Sequence, residues 1–167
     1  MVFVKDGRVV ADLWTHLSDI DTIPANGAIT VSWERWLKDG DALSRAPSQL
    51  GLRLPNTVAA SDLGADARKF STISLSFPKF GDGRAYSQAH VLRERYGYKG
   101  ELRATGDVLR DQLLFMKRCG IDAFEVADKA IAEDWFAALD EFAMFYQPGL
   151  DDRPWIGRQR LASSGGS

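Results

Sequence analysis

The sequence predicts an α/β domain: a five-stranded, mainly parallel sheet of sequential βα units, curled like part of a (β/α) barrel and preceded by a β-hairpin. Three observations predict it. After residue 28, strand-like and helix-like segments alternate five times. The strand segments are two-faced, whereas a sheet covered by helices on both sides has strands that are apolar throughout. A chain of 167 residues is also long enough to bury one core without disulfides or metals.

The hairpin comes from "VFVKDGRVVAD", in which two valine-rich runs flank Asp6-Gly7, residues that tolerate positive φ. A polar connector over residues 18–26 follows, closed by a turn signal at Pro24-Ala25-Asn26-Gly27. "AITVSW" then reads as a strand and "LKDGDALSRA" as a short helix. "LGLRLP" is a strand closed by Pro55, and "SDLGADARKF" a short helix with Ser61 as its N-cap. "TISLSFP" leads to the helix "RAYSQAHVLRERYG", ended by Gly97. "GELRATG" leads to "DVLRDQLLFMKRCG", capped by Asp107 and ended by Gly120. "DAFEV" is the last strand, and "KAIAEDWFAALDEFAMFYQ" a long final helix stopped by Pro148. Its apolar stripe runs through Ile131, Trp135, Leu139, Phe142 and Tyr146, with Phe136 and Phe145 off the stripe. Residues 1–147 therefore make one domain, with the hairpin and connector in residues 1–27. Residues 148–167, ending in "ASSGGS", are expected to be a flexible tail.

Period-two alternation assigns the faces. Ile29, Val31, Leu52, Leu54, Ile73, Leu75, Phe77, Leu102 and Phe124 point to the helices. Thr30, Ser32, Glu34, Arg53, Ser74, Ser76, Arg103 and Glu125 point the other way. Right-handed crossovers between neighbouring strands put every helix on the apolar side and curl the sheet around its polar side. Functional groups then belong at the C-terminal strand ends. A doubly wound, flavodoxin-like sheet is the alternative.

Composition narrows the function. A formal charge of −2 and a pI near 5.7 disfavour bulk binding to nucleic acid or to an anionic membrane. No stretch approaches the roughly 18 apolar residues of a membrane span. The start "MVFVKDGRVV" lacks the form of a signal peptide, and Cys119 is the one cysteine. A cytoplasmic protein is the expectation. His16 and His90 belong to no ligand-spaced set, so neither a metal nor another cofactor is predicted.

Candidate chemistry lies in three places. In "FPKFGDGRAYS", Lys79, Arg84 and Ser87 surround a tight turn and a helix start, the makings of an anion site; otherwise Arg84 pairs with Asp82 and the loop is structural. Arg103 and Glu125, on neighbouring strands, are candidates for an acid/base and anion-binding pair or for a salt bridge. Cys119 is a candidate thiol, such as a single-cysteine persulfide carrier, or a buried small residue.

The segment "FPKFGDGRAYSQAHVLRERYGYKGELRATGDVLRDQLLFMKRCGIDAFE", with "VSWERWL" and "LGLRLPN", resembles the bacterial domain-of-unknown-function family 934. The strong resemblance covers residues 77–125, and a weaker one reaches from the N-terminus to about residue 146, leaving out the tail. The resemblance implies a gene neighbourhood beside assimilatory sulfite reductase and the label of an oxidoreductase of sulfite reduction. It brings no catalytic residues with it. With no cysteine series for an iron–sulfur cluster, the chain is expected to be an accessory protein. It would contact sulfite reductase or an associated redox protein. The alternative is a small enzyme or sensor that binds an oxyanion, sulfite or a phosphorylated metabolite, at the strand ends. Catalysis stays open, and a homodimer that covers the hollow is a further option.

Overall fold

The computed structural model describes residues 2–6, 8–46, 49–79, 82–126 and 132. The hairpin is present: β1 (Val2–Lys5) pairs antiparallel with β2 (Arg8–Val10), Phe3 opposite Val10. Asp6 turns the chain with φ of 49°, a left-handed conformation that aspartate tolerates. Then come β3 (Trp14–His16), β4 (Ala28–Ser32), α1 (Trp33–Arg45) and β5 (Gln49–Leu54). A short α2 (Ala60–Leu63) runs into a 3₁₀ turn, Gly64–Lys69. After it come β6 (Thr72–Phe77), α3 (Arg84–Glu94) and β7 (Glu101–Gly106). A 3₁₀ turn, Arg110–Gln112, precedes α4 (Leu113–Arg118) and β8 (Ala123–Val126).

One mixed sheet of eight strands results, in the order β2-β1-β8-β7-β6-β5-β4-β3. The expected count of five was too small. The five expected strands are β4 to β8, neighbours in chain order and all parallel. No reversal of strand order occurs among them, so the doubly wound alternative, which needs a switch point, does not hold. The hairpin adds two strands, because β1 pairs antiparallel with β8. The last addition is β3, parallel to β4 at the other edge.

The connection from β2 to β3 dictates the sheet's shape. These strands are the two edges, yet Val10 and Trp14 are only four residues apart. Four residues of extended chain reach about 14 Å at most. The sheet must therefore curl until its edges nearly meet, as in a barrel with one unpaired seam.

The apolar face is the helix side, as the alternation predicts. Ile29, Val31, Leu52, Ile73, Leu75 and Leu102 are buried in one cluster with Trp36 and Leu43 of α1, Ala85, Ala89 and Leu92 of α3, and Met116 of α4. Val4, Val126 and Ala132 form a small satellite.

Helix starts differ from expectation. Ala59, not Ser61, occupies the N-cap of α2, and no side chain caps it. Leu109 and Gln112, not Asp107, hold the N-cap positions of the 3₁₀ turn and of α4. The side-chain cap that does form is Ser32, whose Oγ accepts from the Arg35 N–H at 3.0 Å and starts α1 at Trp33, earlier than expected. The stripe of the expected final helix and the tail at 148–167 lie outside the described residues. Among the described residues no helix is long and apolar enough to cross a membrane.

Candidate active site: a polar hollow at the strand ends

The concave face of the sheet divides into a filled end and an open end. Arg103 fills the first. Its Nε donates to Glu101 Oε1 at 2.5 Å and its Nη1 to Asp12 Oδ1 at 2.9 Å. Its guanidinium lies 4.4 Å from the Phe3 ring centre and 5.9 Å from that of Trp14. Glu101 in turn accepts from Lys5 Nζ at 2.6 Å. Burial alone would raise the Glu101 carboxyl, but hydrogen bonds from Lys5 and Arg103, with their charges, hold it below the usual range. The same bond raises the Lys5 ammonium. Asp12 comes from the β2–β3 connection, so this network ties the seam of the barrel to β7.

The expected Arg103–Glu125 pair does not form. Register explains why: Arg103 lies opposite Ala123, which leaves Glu125 two residues nearer the C-terminal end. There its Oε2 accepts from the Gly106 N–H at 3.1 Å.

At the start of α3, Arg84 binds Asp82 through Nε at 3.0 Å and Nη2 at 2.7 Å. Asp82 also accepts from the Arg84 N–H and, at 2.6 Å, from Asn56 Nδ2. These bonds, the Arg84 side chain's first, lower the Asp82 carboxyl to about 2. Arg84 thus answers an internal carboxylate that braces the β5–α2 loop to the α3 start. Lys79 and Ser87 stand exposed nearby. Cys119 caps the C-terminus of α4, half-buried against the core, and burial pushes its thiol up. That is the reverse of thiolate activation.

The open end lies at the C-terminal ends of the parallel strands. His16, Ser32, Glu34, Arg53, Leu54, Pro55, Ser74, Ser76 and Thr105 line a hollow of about 230 Å³. Ser32, Arg53 and Ser74 stand side by side in register across β4, β5 and β6. Arg53 is exposed and makes no hydrogen bond or ion pair with any described residue. Ser74 is only 8% exposed, and neither its hydroxyl nor that of Ser76 is engaged by a described residue. The other hydroxyls are committed: Thr105 Oγ1 donates to the Leu75 carbonyl at 3.3 Å, and Ser32 Oγ to Asp19 Oδ1 at 3.0 Å. His16 Nδ1 lies 3.4 Å from Thr30 Oγ1. The buried Arg35 holds the connector beside this mouth, donating to the carbonyls of Ser18, Asp19 and Asp21 and pairing with Asp39.

Arg53, Ser74 and Ser76 were read from sequence as facing this hollow, and they do. His16 and Thr105 were missed. Thr105 follows Arg103 by two residues, so the alternation pointed to it; His16 needed β3, which is too short to announce itself. Chemically, one uncommitted guanidinium, two hydroxyl donors and the N-terminal end of α1 can hold an oxyanion. No cluster of three or more His, Cys, Asp or Glu side chains suited to a metal occurs among the described residues.

The model of a family described as bacterial protein of unknown function (DUF934) matches residues 51–156, well over half of the chain. The match reaches past residue 148 into the segment set aside as a tail, and it begins after "VSWERWL". No curated protein and no solved structure matches the chain.

Proposed function

The chain belongs to the bacterial DUF934 family, and from that premise we propose that it is an accessory protein of assimilatory sulfite reduction that binds a small oxyanion-bearing ligand in the polar hollow. The gene neighbourhood implied by the resemblance supports the pathway. One observation supports the ligand class: Arg53 lines the hollow and forms no ion pair with a described residue, while Arg103 on the same face forms two. An oxyanion supplies what Arg53 lacks, and the Ser74 and Ser76 hydroxyls add donors. Thermal denaturation with sulfate, sulfite and phosphate tests this. Ligand at about one hundred times its Kd adds about 2.7 kcal/mol, several degrees of melting temperature for a chain of this size. Arg53→Ala should remove that shift. A flat screen with wild-type protein sinks the reading.

A second part of the reading is contact with sulfite reductase or an associated redox protein. The residue chosen to probe it is Phe115 of α4, 55% exposed and packed edge-to-face on Tyr86 at 4.8 Å between ring centres. Co-purification of sulfur-assimilation proteins from the native organism, lost in Phe115→Ser, is the expected result. Normal growth of a deletion strain on sulfate argues against the pathway.

A further inference from the structure

The hollow carries two opposite charges, not one. Glu34, in the first turn of α1, lines it together with Arg53, and no described residue pairs with either. A ligand that is an anion throughout would satisfy Arg53 but meet the Glu34 carboxylate in the same small space, with the Asp19 carboxylate behind it on Ser32. His16 at the lip has one ring nitrogen near Thr30, and the other is unengaged by described residues. The hollow, of about 230 Å³, is below the usual size of a site for a drug-sized ligand.

We propose that the ligand is a compact dipolar molecule: a sulfonate, phosphonate or phosphate group held by Arg53, Ser74 and Ser76, and an ammonium group a few bonds away held by Glu34. This rests on the oxyanion reading above and sharpens it, since free sulfite lacks the second group. Each charge of the site then meets its opposite, and the Ser74 hydroxyl, which no described residue engages, gains an acceptor.

Paired probes test it. Taurine and n-propanesulfonate have nearly the same shape and differ in carrying an ammonium or a methyl group; aminoethylphosphonate and propylphosphonate form a second pair. Calorimetric titration of the full chain should show the amine-bearing member of a pair binding about fivefold tighter or better. Glu34→Gln should erase that preference while still binding n-propanesulfonate, and Glu34→Asp should restore it. A carboxylate in a helix's first turn also favours the helix, so the variants' melting temperatures serve only to show that they are folded. Equal binding within both pairs, still dependent on Arg53, overturns the dipolar ligand and leaves the oxyanion reading standing. Failure of all four probes and of the simple anions to bind wild-type protein overturns both.

Discussion

Two arginines stand in one row of the sheet, on either side of Ser74, and have opposite circumstances. Arg103 is inside the barrel, its side chain 7% exposed, between two aromatic rings and two carboxylates. Arg53 is at the open mouth with none of these. The local sequences differ at one decisive place. Arg103 sits in Glu101-Leu102-Arg103, Arg53 in Gly51-Leu52-Arg53. Residues two apart on a strand share a face, so Glu101 neutralises Arg103 whereas Gly51 offers nothing. Gly51 could not be a glutamate: even a Cβ there would lie 2.6 Å from Thr72 Cγ2, 2.9 Å from Thr30 Cγ2 and 3.1 Å from the Trp14 ring. The packing that fills one end of the barrel thereby leaves a cation uncommitted at the other.

This contrast can be broken in graded steps. Arg103→Met should do the most damage, because it takes away one of the two cations on Glu101 and the ion-pair partner of Asp12, and removes the guanidinium over Phe3; about 3 kcal/mol of stability is expected to be lost in urea denaturation. Gly51→Ala should cost about 1–3 kcal/mol by overpacking, since two methyl groups must move. Asp82 acts through pH. Its carboxyl is lowered from 3.8 to about 2, so its contribution is full above pH 4 and fades as pH falls through about 2. An acid titration of stability should be shallower in Asp82→Asn over that window. The smallest effect belongs to Arg53→Ala, which should change stability by less than about 0.5 kcal/mol while removing the anion-dependent rise in melting temperature. A large loss of stability in that variant would mean that Arg53, like Arg103, is a structural residue.

Much of the framework was legible because alternation with period two survives in short strands. The phase of β4 to β8, the helix side and the polar side all follow from residues such as Leu52, Arg53 and Leu54. What sequence could not convey was register. Arg103 and Glu125 share a face and neighbouring strands, yet the two-residue offset between them decides the pairing, and no residue type announces an offset. The true partner, Glu101, was visible two residues upstream. Both misassigned caps, Ser61 and Asp107, are residue types that favour helix starts, but the N-cap positions fall to Ala59 and Leu109, residue types that do not announce a start. At β3, three residues cannot show a period, so His16 and Trp14 went unplaced.

The three-residue link between the edge strands has a consequence for how the chain assembles. Because β1 pairs with β8, Val2 meets Val126 across almost the whole length of the described sheet's sequence. Contacts so distant in sequence slow folding, and until they form, the hairpin has no neighbour strand on its far side. Until β8 is in place, the edge of β1 that it covers is an unpaired ribbon open to strands of other chains.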